Sequence, residues 1–277
     1  MYNIINLFPF IDCALMDTNT IETNNIFEST AFTEKDSPKT VAEKLYNSNV
    51  VFIHPDGFDY WSDVLVILHQ KKELPIKLFI FGGSDYFFDD DVMEIMTCFF
   101  DKSKFFINNY IGAHANCYLL PIGSSTSYKK EINKKCNFAI PNVTLNCGYR
   151  YVYCKFIDRN DNLKPYILPN LPTDIYLDVL ASLRFSTAPR GNGHDTGRFW
   201  ECIMLGVIPI VERDVFYERL RETYPRLPFI MLDKWDDLND MIEQLDETLY
   251  NNIIDISDLT ITETEYWINK VKEIIKD

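Results

Sequence analysis

The stretch from Ser182 to Val211, SLRFSTAPRGNGHDTGRFWECIMLGVIPIV, gathers residue types that can hold a phosphorylated ligand. A buried strand near Arg184 to Thr187 runs out at Ala188-Pro189, and a loop containing Arg190, Gly191, Asn192 and Gly193 leads into a helix that Asp195 or Thr196 can cap. Free amides at a helix N-terminus, with the positive end of its dipole, attract phosphate, and glycines let a ligand approach the backbone. Arg190 and Arg198 add charge-assisted donors suited to a pyrophosphate. Glu201, three residues beyond Arg198 on the same helix face, offers a carboxylate to ribose hydroxyls. The plainer account of these residues is a turn followed by a surface ion pair between Arg198 and Glu201, and spacing alone does not separate the two. The loop is not followed by Gly-Lys-Ser/Thr and lacks Gly-x-Gly-x-x-Gly, so it is neither a Walker loop nor a dinucleotide fingerprint.

Such a loop needs a strand before it and a helix after it, and the rest of the chain supplies that alternation. Short apolar or aromatic runs alternate with amphipathic stretches, the pattern of an α/β chain with parallel sheets. Strands are expected near Tyr2 to Phe8, Val50 to Ile53, Lys77 to Phe81, Lys104 to Ile107 and Cys117 to Leu120, with helices over Thr40 to Tyr46, Trp61 to Gln70 and Asp91 to Phe99. The second half repeats the habit with strands near Tyr149 to Phe156, Arg184 to Thr187, Val207 to Val211 and Phe229 to Leu232. Its helices are expected at Asp174 to Leu183, Thr196 to Leu205, Phe216 to Thr223 and Trp235 to Tyr250. Gly123 to Lys135 lacks apolar periodicity and reads as a connection, giving domains 1–128 and 129–260. A terminal helix, 261–277, carries Tyr266, Trp267, Ile268, Val271, Ile274 and Ile275 at helical spacing behind a capping segment at Thr262.

Composition narrows the function. Of 277 residues 47% are hydrophobic and 25% charged, which excludes disordered and collagen-like classes. A formal net charge of −14 argues against a general nucleic-acid binder and against attachment to anionic lipid, leaving local arginines and amides to grip any anion. Seven cysteines lack the paired spacings of a zinc site, so reduced thiols in a cytoplasmic protein are expected. The opening residues carry no basic leader, and no stretch reaches the roughly 18 apolar residues of a membrane span.

The residues Phe185, Pro189-Arg190-Gly191, Gly193, Asp195, Arg198, Trp200-Glu201, Gly206 and Ile208-Pro209-Ile210-Val211 resemble the nucleotide-sugar half of the exostosin-like glycosyltransferases, family 47. Pro228 to Leu238 looks like that family's following strand and helix, so the similarity covers roughly residues 176 to 240. The resemblance implies a GT-B architecture, two Rossmann-like domains facing across a cleft, with the donor on the C-terminal domain and the acceptor on the N-terminal one. It implies transfer from a UDP-sugar to a glycan hydroxyl, with inversion and no obligatory metal or other cofactor. Arg190, Gly191, Asn192, Gly193, Asp195, Thr196, Arg198 and Glu201 then become the donor site. The last helix would return to the first domain. With no membrane anchor expected, the chain resembles the compact members of large algal viruses, among them a xylosyltransferase.

Inverting displacement needs one base to deprotonate the acceptor hydroxyl, while positive charge and helix amides stabilise the leaving diphosphate. Ligands of open α/β sheets sit beyond the carboxyl ends of strands, so the loops there are the places to look. Asp85, after Gly82-Gly83-Ser84, is the first choice; its plainer role is a turn or cap carboxylate. His54 and Asp56 in His54-Pro55-Asp56-Gly57 are the reserve, although Pro-Asp-Gly is also an ordinary turn. His114 ranks third. Asp56, Tyr60, Trp61 and Tyr86, with Phe87 and Phe88 beside them, could form an acceptor platform, since sugar faces stack on aromatic rings, or could simply fill the core. Asp89-Asp90-Asp91 has the Asp-x-Asp spacing of a metal-dependent transferase but opens a helix, where carboxylates complement the dipole. A non-catalytic nucleotide-sugar binder and a metal-dependent enzyme using Asp89 and Asp91 remain the alternatives.

Overall fold

Four consecutive apolar residues, Val50-Val51-Phe52-Ile53, are all buried, as are Leu78-Phe79-Ile80-Phe81, which is the signature of strands covered on both faces of a parallel sheet. The computed structural model describes residues 7, 9–15, 31–33, 35–54, 58–70, 75–83, 85–123 and 134–276, without the side chains of 13, 58–60 and 69. Contacts divide the chain into two units, one of residues 123–263 and one of 2–122 with 264–277.

In the second of these, β1 (Cys13–Leu15), β2 (Ala31–Phe32), β3 (Val50–Ile53), β4 (Leu78–Phe81), β5 (Lys104–Ile107) and β6 (Cys117–Leu119) form one sheet in the order β2-β1-β3-β4-β5-β6. Every pairing is parallel, with Val51 opposite Phe79, Phe79 opposite Phe105 and Phe105 opposite Cys117. Among the described residues three helices connect the strands: α1 (Pro38–Leu45), α2 (Phe58–His69) and α3 (Asp90–Phe99). Ser37 starts α1 by accepting the Thr40 amide at 3.2 Å, and Pro38 takes the first position, where its missing N–H costs nothing. The strand expected over Tyr2 to Phe8 lies outside the described residues except at Leu7.

The other unit has a four-stranded parallel sheet in the order β10-β9-β8-β7, from β7 (Cys136–Ala139), β8 (Leu183–Thr187), β9 (Ile208–Glu212) and β10 (Ile230–Leu232). Helices α4 (Gly148–Arg159), α5 (Thr173–Ala181), α6 (Gly197–Met204), α7 (Val215–Thr223) and α8 (Glu247–Ile254) accompany it. Separate apolar clusters, one around Tyr153, Phe185, Ile208 and Trp235 and one around Leu180, Leu183, Cys202 and Val207, fill its interior.

Two expectations are corrected here. Tyr149 to Phe156 is not a strand but most of α4, and its buried residues, Tyr153 and Ile157, lie four apart. The single helix expected over Trp235 to Tyr250 is broken into short turns, and α8 begins only after Asp246, whose carboxylate accepts the Leu249 amide at 2.8 Å.

The last helix, α9 (Thr264–Lys276), belongs to the unit of residues 2–122. Its Trp267 is fully buried edge-on against Phe106 of β5 at 5.5 Å, and its Ile275 carbonyl accepts from Lys77 Nζ. No helix among the described residues is long and apolar enough to cross a membrane.

Candidate functional site

β8 and β9 end side by side, and the chain leaves both at their carboxyl ends, where open α/β sheets bind ligands. Ala188 still donates to Ile210 O at 2.8 Å, and Pro189 then turns the chain into the glycine loop. Thr196 is the residue that caps α6, its Oγ1 accepting the Phe199 amide at 3.4 Å from an extended backbone. Asp195, the other candidate cap, is buried and accepts the Trp200 indole N–H at 2.5 Å. It fixes the loop to the helix instead of capping it.

Arg190 is tied down by a residue the sequence did not mark. Its Nη1 donates to Asp214 Oδ2 at 2.6 Å, its Nη2 reaches the Asn192 carbonyl at 3.5 Å, and its guanidinium covers the Tyr149 ring at 3.9 Å. Asp214 also meets His194 Nδ1 at 2.6 Å and accepts the Phe216 amide at 2.8 Å, capping α7. Burial by itself would raise the Asp214 carboxyl, but the His194 and Phe216 hydrogen bonds, with the Arg190 charge, hold it below the usual carboxylate range. A cavity of about 90 Å³ opens beside this cluster, lined by Tyr149, Pro189, Arg190, Glu212, Arg213, Asp214, Tyr217 and Trp235. Glu212 accepts the Trp235 amide at 3.0 Å, yet burial and then the neighbouring Asp236 and Asp214 push its carboxyl upward.

Arg198 and Glu201 form a second cluster with Tyr176. The Arg198 guanidinium lies over the Tyr176 ring at 5.5 Å, and the Tyr176 hydroxyl donates to Glu201 Oε2 at 3.5 Å. Burial raises the Glu201 carboxyl, against the pull of Arg198 and Tyr176. The surface ion pair between Arg198 and Glu201 is absent from the ion pairs of the described residues. Two of the Arg198 nitrogens, Nε and Nη1, are buried with no hydrogen-bond partner among the described residues, a state that costs a folded protein free energy unless a ligand or water satisfies it. Glu201 does not line the cavity at Arg190, where the carboxylates are Glu212 and Asp214.

In the other unit the candidate bases separate. His54 is 5% exposed, and its Nε2 donates to the Gly83 carbonyl at 2.9 Å. Gly83 has φ +91°, and a Cβ there would sit 2.9 Å from the His54 ring, so glycine is required both by conformation and by space. His54 therefore holds the turn after β4, and that turn presents an exposed Asp85. Asp56 and Ser84 lie outside the described residues, as does the Tyr60 side chain. Tyr86 and Phe87 are 50% and 47% exposed and stack at 6.1 Å. Trp61 and Phe88, each 1% exposed, are corrected to core residues that present no ring face to a ligand.

The acidic triplet is engaged with the backbone. Asp89 caps α3 by accepting the Val92 amide at 3.1 Å. Asp90 accepts from Tyr110 Oη at 2.8 Å and from the amides of Ala113 and His114 at 2.8 and 3.1 Å, and a Cβ on Gly112 would overlap its Oδ1. The third candidate base, His114, accepts the Asn116 amide through Nδ1 at 3.2 Å. Among the described residues no three His, Cys, Asp or Glu side chains are grouped to hold a metal.

No family model and no curated protein matches the chain. It is similar to three solved alpha-glucosyltransferase structures. One, in complex with UDP-glucose and DNA containing an abasic site, has 10% identity and a TM-score of 0.43, with 90% of this chain and 85% of that chain covered. A second, with UDP and a 13-mer DNA containing an HMU base, has 11% identity, a TM-score of 0.44 and the same coverage. A third, in complex with UDP, has 10% identity and a TM-score of 0.42, with 90% of this chain and 86% of that chain covered. Likeness of this degree leaves the chemistry to be argued from this chain's own residues. The expectation that excluded nucleic acid as a partner stands against two of these structures, which hold DNA. Net charge is a sum over the surface, and a polyanion responds to the field where it docks.

Proposed function

We propose that the chain is a GT-B glycosyltransferase that moves a sugar from a UDP-sugar to an acceptor hydroxyl. The observation that carries this reading is the glycine loop between β8 and α6, with buried unpaired donors on Arg198, beside a cavity at the carboxyl ends of the strands. The cavity's exposed Tyr149 ring suits a base and its Glu212 suits ribose hydroxyls, while the α6 amides and Arg198 suit the diphosphate. The donor belongs to the unit of residues 123–263 and the acceptor to the other.

The reaction is a displacement with inversion. The acceptor oxygen attacks the anomeric carbon as the bond to the diphosphate oxygen breaks, and Asp85 takes the hydroxyl proton. The electron pair leaves on UDP, whose charge the arginines and helix amides stabilise, so no metal is obligatory. The exposed Tyr86–Phe87 pair beside Asp85 offers ring faces to an acceptor sugar.

Calorimetric titration with UDP, GDP, CMP, UDP-xylose and UDP-glucose, with and without EDTA, tests the donor site. Selective binding of UDP and one UDP-sugar, unchanged by EDTA, is expected; no response to any nucleotide overturns the reading. Binding without donor hydrolysis or transfer would identify a nucleotide-sugar binder instead. Product on DNA containing HMU, with none on oligosaccharides, would replace the glycan acceptor by a nucleic acid.

A further inference from the structure

Arg150 faces the glycine loop from α4, a contact to which nothing in the sequence pointed. A Cβ built on Gly191 would lie 3.3, 3.7 and 3.9 Å from Arg150 Nη2, Cζ and Nε, so the guanidinium rests against the Gly191 backbone. Its Nη1 is anchored to Asn146 Oδ1 at 3.1 Å and to the Thr144 carbonyl at 3.4 Å, and its Nε is buried with no partner among the described residues. No acidic side chain makes an ion pair with it among the described residues.

The electrostatics around it are one-sided. Arg150 lies in the first turn of α4, Arg198 in the first turn of α6, and neither turn contains an acidic residue. A cation there opposes the helix dipole and is unfavourable unless an anion offsets it. Both arginines border the glycine loop, Arg150 resting against Gly191 and Arg198 lying in the first turn of the helix that the loop enters. Arg190, by contrast, is already neutralised by Asp214.

We propose that Arg150 binds the diphosphate together with Arg198, and that Arg190 serves mainly to hold the loop through Asp214. The proposal rests on the UDP-sugar reading, which it deepens by naming a ligand residue outside the loop and helix that suggested the site. A planar fork fixed at one nitrogen is pre-organised for a phosphate oxygen, and a lysine at this position would supply charge without that geometry.

The test is isothermal titration of the native chain, Arg150→Ala, Arg150→Lys and Arg226→Ala with UDP, uridine and inorganic pyrophosphate, beside the melting temperature of each. Arg226, exposed and paired with Asp258, is the control. Arg150→Ala should weaken UDP and pyrophosphate alike by about 10- to 150-fold, the worth of a charge-assisted hydrogen bond. Uridine should be unaffected, Arg150→Lys should recover only part of the loss, and Arg226→Ala should change nothing. UDP and pyrophosphate binding by Arg150→Ala equal to that of the native chain overturns the role of Arg150 and leaves the donor site standing. Should the alanine variant fail to fold, Arg150→Lys decides, with native affinity overturning the proposal. Arg150-dependent binding of pyrophosphate without binding of UDP keeps the anion site and overturns the UDP-sugar reading. A native chain that binds neither overturns both.

Discussion

Asp214→Asn removes one charge at the point where loop, helix and cavity meet. The native carboxylate is 11% exposed and holds Arg190 on Oδ2 and both His194 and the Phe216 amide on Oδ1. Asparagine keeps the volume, but its NH₂ must replace one oxygen. Set toward Arg190 it faces a guanidinium N–H, and set the other way it faces the Phe216 N–H, so either orientation opposes two donors. Breaking one partner of a buried ion pair costs about 3–5 kcal/mol. Arg190 keeps its place over Tyr149, which puts the loss near the lower end, about 3 kcal/mol. For a unit of this size that is a drop of about 10 °C in melting temperature, measurable by calorimetry. The folded Asp214 carboxyl lies below its ordinary value, so its stabilisation is present above the unfolded pKa and lost as pH falls through the folded one. The difference between native chain and variant should therefore be steady from neutral pH to about pH 5 and close in more acid solution, below the ordinary Asp value of about 3.9. A variant that melts within about 2 °C of the native chain at neutral pH, or a gap that does not narrow in acid, refutes the assignment of Asp214 as the charge that fixes Arg190.

Asp85→Asn should lower the transfer rate by about 10²- to 10⁴-fold with UDP affinity unchanged, read by product formation beside titration; full activity removes Asp85 as the base. Gly112→Ala should destabilise the unit of residues 2–122 by at least about 2 kcal/mol, because its Cβ displaces the Asp90 carboxylate from the Tyr110, Ala113 and His114 donors, and equilibrium urea unfolding reads this. Lys134 donates to the Ala181 and Leu205 carbonyls at the ends of α5 and α6, and burial lowers its pKa to about 8. Between pH 8 and its ordinary 10.5 the unfolded chain holds the proton that the folded one releases, so stability from this group rises with pH across that window. Lys134→Met should abolish that rise, measured as the difference between two pH series of melting temperatures.

Much of the fold was readable because local and tertiary demands agree. Val50–Ile53 and Lys104–Ile107 are short β-branched or aromatic runs that can be satisfied only inside a sheet, and both strands lie where the sequence places them. Tyr149 to Phe156 failed for the opposite reason. Its tyrosines, valine and phenylalanine favour strands one at a time, whereas the burial of Tyr153 and Ile157 has the four-residue spacing of a helix, visible only once the face against Trp235 is known. That misreading also hid Arg150, since a side chain expected on a strand is not sought at the first turn of a helix. Asp214 was hidden by distance. It lies 24 residues from Arg190, and only the parallel pairing of β8 with β9 brings the two loops together.

Net charge and local charge govern different things, and composition leaves any anion to be gripped by local arginines and amides. A formal net charge of −14 sets the far field, but a bound anion is governed by the few groups within about 10 Å, roughly the Debye length at moderate salt. Around the proposed donor site acidic residues are already hydrogen-bonded: Asp214 with Arg190 and His194, Asp195 with Trp200, and Glu212 with the Trp235 amide. Arg198 and Arg150 keep buried N–H groups unmatched among the described residues, on two helix starts that carry no acid. Those unmatched N–H groups, and not a net positive charge, are what a phosphate would satisfy there.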